Sequence, residues 1–178
     1  MLDRVDALFE AFRVHAEAVS AEVHRVATKA QAREFVARFL NGESGAGATA
    51  VWADVPLLGP LTGETACPTT RQTATVANVG ISQMDWAIAD TGTLVQNATP
   101  IERRLVSTLP SIHIALVPTN GLIPDLASAI AKLHPKPASY ISMITGPSRT
   151  ADIERVLTIG VHGPARLVIV FVDESEVN

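Results

Sequence analysis

Two apolar runs, Ser111 to Val117 and Leu167 to Val172, constrain this chain more than any other feature. Runs of β-branched and aliphatic residues with no polar alternation suit strands covered on both faces, as in a parallel sheet. Between them, Pro124 to Leu133 reads as a helix with Pro in its first turn, and Ser139 to Thr145 as another strand. Gly146-Pro147 then turns the chain, and Ser148-Arg149-Thr150 has the residue types that start a helix. From Ser111 the order is strand, helix, strand, helix, strand, with short connections. That alternation predicts an α/β fold: a mainly parallel central sheet flanked by helices and joined by right-handed crossovers.

The N-terminal half supplies the covering elements. Leu2, Val5, Leu8, Phe9, Phe12 and Ala16 recur at helical spacing among charged residues, giving an amphipathic helix through about Val19. Glu22 to Val26 alternates as a short strand, and Thr28 with Gln31 fits a capping box ahead of Ala32, Phe35, Val36, Phe39 and Leu40. Gly42 to Gly47 is a small-residue linker, and Thr49 to Ala53 a strand. Pro56, Gly59, Pro60, Gly63 and Pro68 mark residues 54–71 as an irregular loop. Val76 to Val79, with Ile81, leads into Trp86 to Gln96, where two apolar strands flank an Asp90-Thr91-Gly92-Thr93 corner. Arg103 to Leu109 is a short helix stopped by Pro110. The whole, residues 1–178, reads as one domain with residues 1–20 a peripheral helix.

Composition narrows the function classes. Hydrophobic residues make up 47% of the chain, yet charges interrupt every apolar run before it nears the ~20 residues of a membrane span. The start, Met1-Leu2-Asp3-Arg4, lacks a basic region before an apolar core, so the expected location is the cytoplasm. A net charge of −4 and few aromatic residues argue against nucleic acid. Cys67 is the one cysteine, too few to hold an iron–sulfur cluster, so redox metal chemistry falls to a partner. No His/Asp/Glu cluster has metal-ligand spacing, and no nucleophile-elbow pattern is present.

Two loops have the residue types for an anionic ligand. Gly146, Ser148, Arg149 and Thr150 offer hydroxyls, a guanidinium and helix N-terminal N–H groups. The same residues equally describe a helix cap with Arg149 paired to Asp152 or Glu154. Asp90, Thr91, Gly92 and Thr93 would place a carboxylate and hydroxyls at a cleft, with Asp90 as an acid, a base or the group orienting Arg149; a tight turn accounts for them too. His162, between Val161 and Gly163 in a glycine-flanked loop, is free to reach a ligand, whereas His113 in Ile112-His113-Ile114 reads as a core histidine.

Several ordered segments carry a family resemblance: Trp86 to Leu94, Leu105 to Pro110, His113 to Val117, Pro124 to Leu126, Gly146 to Glu154 and Gly160 to Pro164. Together they resemble the LUD-domain family of the lactate utilization protein C type, over roughly the C-terminal 100 residues. The chain departs from many relatives in carrying Asp90 where they have Glu. The resemblance implies a fold similar to the CoA-transferase and ribose-5-phosphate-isomerase superfamily, with a ligand cleft at the strand ends. It also implies a non-redox subunit in the oxidation of L-lactate to pyruvate, with no cofactor on this chain and iron–sulfur clusters on partner subunits. The alternatives are a stand-alone enzyme similar to CoA transferases or sugar-phosphate isomerases, and a scaffold with a vestigial cleft.

Overall fold

A computed structural model of the chain describes residues 2–42, 49–59, 66–132, 140–151, 157–159 and 162–174. Its centre is a six-stranded parallel sheet. In chain order the strands are β1 (Glu22–Val26), β2 (Ala50–Ala53), β3 (Ala66–Pro68), β4 (Val79–Gln83), β7 (Ile112–Pro118) and β12 (Arg166–Val172), and in space they run β1-β12-β7-β4-β2-β3. The two apolar runs therefore lie side by side, Arg166 opposite Ile112 through Val172 opposite Pro118. Both strands are buried along nearly their whole length, which is what continuous apolar sequence predicts.

Strand alternation splits the core into two layers. Ile114, Leu116, Val168 and Val170 face α2 (Lys29–Asn41), meeting its Val36 and Phe39. Ala115, Val117, Ile169 and Phe171 face α1 (Leu2–Ala18), where Phe9 and Phe12 set their rings edge-on to Phe171 at 5.3 and 5.0 Å. Phe12 is fully buried, worth roughly 1.5–3 kcal/mol on transfer alone, so α1 is part of the core. Thr28 and Gln31 form the expected capping box of α2. Arg25 then ties α1 to the sheet end by bonding Asp6 at 2.7 Å and Asp173 at 2.8 Å.

On the α1 side lies a second sheet of four short strands: β5 (Trp86–Ile88), β6 (Thr93–Asn97), β8 (Leu122–Ile123) and β9 (Ile141–Ile144), ordered β8-β5-β6-β9. The corner between β5 and β6 turns at Gly92 with φ +62°, and a Cβ there would sit 2.4 Å from the backbone nitrogen of Ala16. Gly92 thus serves both the turn and the close approach of α1. Also on this side are α3 (Arg71–Val76) and α4 (Ile101–Thr108), packed on β2 and β4 through Val51, Ala53, Ala74 and Val106. A Cβ on Gly80 would lie 2.1 Å from the Val106 carbonyl oxygen, so α4 rests directly on the backbone of β4.

Four sequence expectations change. The strand at Ser139 to Thr145 is β9, but it pairs antiparallel with β6 in the second sheet, so β7 is followed in the parallel sheet by β12. Ser148-Arg149-Thr150 does not start a helix: Arg149–Ala151 is strand β10, paired antiparallel with β11 (Leu157–Ile159). Hydroxylated residues suit strands as well as caps, and here the ladder takes them; residues 152–156 lie outside the described residues. The loop read over residues 54–71 contains β3 and runs to the first residue of α3, an undetected helix capped by Thr70 and Thr73. Finally, the helix after Pro124 is α5 (Leu126–Lys132), and Asp125 rather than Pro124 begins it: the Ser128 N–H donates to Asp125 Oδ1 at 2.7 Å. That bond and the Ser128 hydroxyl hold the Asp125 carboxyl below its ordinary range.

Candidate functional site

A cleft of about 320 Å³ opens between α4, the turn after β9 and the segment before β12. Ser107 and Thr108 at the end of α4 form one wall, and Ser142 to Ser148 the other. His162, Gly163 and Pro164 close the side, while His113 and Leu167 supply the floor from the first turns of β7 and β12. The cleft therefore sits at the N-terminal ends of the two central parallel strands. The expected position, beyond the ends of parallel strands, assumed that β9 belonged to the parallel sheet; it does not.

Backbone bonds fix these walls. The Ser148 N–H donates to the Pro164 carbonyl at 2.8 Å, and the Ala165 N–H donates to the Ser111 carbonyl at 2.8 Å. Gly163 packs so closely that a Cβ on it would lie 3.1 Å from Ser148 Cβ. Gly146, at φ +70°, presses on the end of α1, where a Cβ would sit 2.7 Å from the Val19 carbonyl oxygen.

Of the residues singled out from sequence, Gly146, Ser148 and His162 line this cleft together. Thr93 stands one step behind it, its Oγ1 2.9 Å from Oγ1 of Thr145, a lining residue. Asp90, Thr91 and Gly92 are outside the lining. Asp90 is exposed, and its N–H donates to the Pro124 carbonyl at 3.1 Å. Arg149 also lies outside; its Nη2 donates to Ser20 Oγ at 2.5 Å rather than to Asp90. Thr150 is described in its backbone alone, opposite Thr158. The two loops thus meet through α1, with the Gly92 corner against Ala16 and the Gly146 turn against Val19, and one of them lines the cleft.

Two further residues stand out: His113, which is the core histidine the sequence predicts, and Arg104, which sequence reasoning passed over. His113 is fully buried, and burial lowers its pKa to about 4, so the ring is neutral near pH 7. Its Nε2 lies 2.9 Å from Ser82 Oγ, and the fully buried Ser82 has His113 as its side-chain partner. If the Ser82 hydroxyl is to place its own hydrogen, it donates to Nε2, which leaves the proton of the neutral ring on Nδ1. Nδ1 has no partner among the described residues.

The second is Arg104. It shares a helical face with Ser107 and Thr108, three and four residues on. Its guanidinium lies 4.9 Å from the centre of the Tyr140 ring, and neither residue is among those lining the cleft. Arg104 forms no ion pair among the described residues, and its Nε is buried without a partner. Arg104 has no local signature, since it follows the helical rhythm of α4. Among the described residues there is no group of three or more His, Cys, Asp or Glu that could hold a metal ion, and no helix is long and apolar enough to cross a membrane.

The sequence profile of the LUD domain family matches residues 52–172, which enclose every residue lining the cleft. A protein named lactate utilization protein C from Halalkalibacterium halodurans is 38% identical over 104 residues, 55% of this chain and 45% of that protein. Another of the same name, from Macrococcus caseolyticus, is 38% identical over 110 residues, 58% of this chain and 48% of that protein. The chain thus spans about half the length of the curated relatives it matches. A DUF162 family protein from Deinococcus radiodurans has a crystal structure that superposes with a TM-score of 0.65 over 97% of this chain and 98% of that one, at 18% identity, which establishes a common fold. With the match covering more than half its length, the chain belongs to the LUD domain family.

Proposed function

We propose that this protein is a non-redox subunit of cytoplasmic L-lactate utilisation, in the oxidation of lactate to pyruvate, and that its cleft binds a small anionic ligand. The observation that carries the reading is the identity of 38% to relatives named lactate utilization protein C, within a family match that encloses the whole cleft. The chemistry is compatible with it. Ser142 and Ser148 bring hydroxyls to the space, those of Thr108 and Thr145 being engaged by the Arg104 carbonyl and by Thr93 Oγ1, and Gly146 and Gly163 keep the backbone close. One cysteine is too few to hold an iron–sulfur cluster, which supports a reading in which partner subunits carry the electrons and this chain holds or presents a ligand.

A stand-alone enzyme using Asp90 as acid or base draws less support, because Asp90 lies outside the cleft lining. The functional reading is tested by deleting the gene and growing the strain on L-lactate as carbon source, with a tagged copy restored for affinity purification. The expected result is loss of growth on lactate, its rescue by the tagged copy, and co-purification of iron–sulfur proteins with lactate-dependent electron transfer. Undiminished growth on lactate would overturn it.

A further inference from the structure

Helices α3 and α4 leave an open groove of about 370 Å³ between them, lined by Arg71 at the start of α3 and by Ile101, Glu102, Leu105 and Leu109 along α4. It shares no lining residue with the cleft. Spacing of four sets Ile101, Leu105 and Leu109 in one row down the helix. Leu105 is partly buried against Val51, Ala74 and Val106, but Ile101 is 53% exposed and Leu109 45%. Val76, at the end of α3, adds a side chain 74% exposed. Single exposed apolar residues are ordinary, whereas a row of them along a groove marks a contact surface. The groove also holds one charge of each sign. Arg71 and Glu102 come from different helices and are both exposed, yet they form no ion pair with each other or with any other described residue.

The two helices run the same way. Their first residues share the groove, and their ends are joined where Ser111 Oγ and the Ile112 N–H donate to the Asn78 carbonyl at 3.2 and 3.0 Å. A twofold axis laid along the groove therefore sets α3 of one copy over α4 of another, start over start. That rotation carries Arg71 of each copy to Glu102 of the other and closes the apolar row between them, which is the self-complementarity an isologous contact requires.

We propose that the α3–α4 groove docks a second copy of this chain, forming a twofold dimer with an apolar centre and two Arg71–Glu102 pairs. Charge selects this occupant. With one cation and one anion the lining is neutral, so its own rotated image satisfies both, while a partner carrying a single sign of charge would oppose one of them. The chain as a whole has a net charge of −4, so the two copies need such local pairing to meet.

The test is sedimentation equilibrium of the full chain from about 1 to about 500 µM, a range that spans weak to moderate self-association. Wild type should be dimeric at the upper end. Ile101→Glu and Leu109→Glu should each be monomeric throughout with an unchanged circular dichroism spectrum, and Val14→Glu, an equally exposed site on α1, should dimerise as wild type does. Arg71→Glu and Glu102→Arg should each weaken the dimer about tenfold, since one reversal acts at both ends of the interface, and the double reversal should return it to within about threefold of wild type. Should a groove substitution disturb folding, the charge reversals decide the matter, because both side chains are exposed. A wild type monomeric over the whole range would overturn the proposal and leave the groove to a different chain. So would a dimer indifferent to Ile101→Glu and Leu109→Glu, or a double reversal no tighter than the single ones.

Discussion

Arg103 and Arg104 are neighbours in α4, yet they have opposite surroundings. Arg103 is 11% exposed in its side chain and bonds Asp54, Asp85 at 3.3 Å and the Asn97 carbonyl at 3.1 Å, joining the turn after β2, the end of β4 and the end of β6. It shares its helix face with Val106, which is fully buried on the parallel sheet. Arg104, about 100° further round the helix, lies over the Tyr140 ring with no counter-ion among the described residues. Each keeps a buried, unpartnered Nε, so the contrast lies in the charge partners. One helix face is built for cohesion and the other has charge to spare.

Substitutions should reveal that division in descending order of effect. The largest loss is expected on the cohesive face at Gly80: Gly80→Ala forces a Cβ to 2.1 Å from the Val106 carbonyl, separating α4 from β4 at a cost of about 3 kcal/mol or more. A Tm within a degree of wild type would show that α4 does not rest on the sheet as described. Next comes acid. The unfolded chain protonates His113 near 6.5, whereas the buried ring resists until about 4. The unfolded state binds the extra proton in between, so stability is retained above 6.5, falls as pH drops towards 4, and loses roughly 3 kcal/mol from this group. Urea midpoints across that window should fall in wild type, and the slope should flatten in His113→Gln; parallel curves would exclude His113 as the source. Arg103→Met leaves Asp85 and Asp54 without their cation. Both are partly exposed, so the expected cost is about 2 kcal/mol, or a Tm drop of some 4–8 °C. Arg104→Met should cost less than about 0.5 kcal/mol. Equal losses from the two arginines would dissolve the contrast.

Much of the architecture was legible because its signals are local. The apolar runs of β7 and β12, the Thr28 capping box and the Gly92 corner each follow from a few adjacent residues, and each stands where expected. The pairing of β9 was not legible, since an apolar strand after a helix looks the same whether it enters a parallel sheet or closes an antiparallel one. The helix at Arg71–Val76 was hidden by three threonines in its cap and body and by the Pro and Gly before it. At the site, sequence picked out Gly146, Ser148 and His162 because small and hydroxylated residues announce a loop. It read His113 as a core histidine, which the burial of the ring and its bond to Ser82 bear out, and it passed over Arg104 because a missing counter-ion is a property of what surrounds a residue.

The pairing of β1 with β12 bears on how this fold can be divided. The family match begins at residue 52, whereas β1 lies earlier and contributes a five-residue parallel ladder, Glu22 opposite Val168 through Val26 opposite Val172. Excision of residues 52–172 would turn β12 from an interior strand into a bare margin, and the loss of α1 would uncover Phe171 beside it. An apolar margin with unpaired backbone groups recruits other chains. In this chain, the stretch that matches the family and the stretch that pairs β12 on both sides are therefore different lengths of polypeptide.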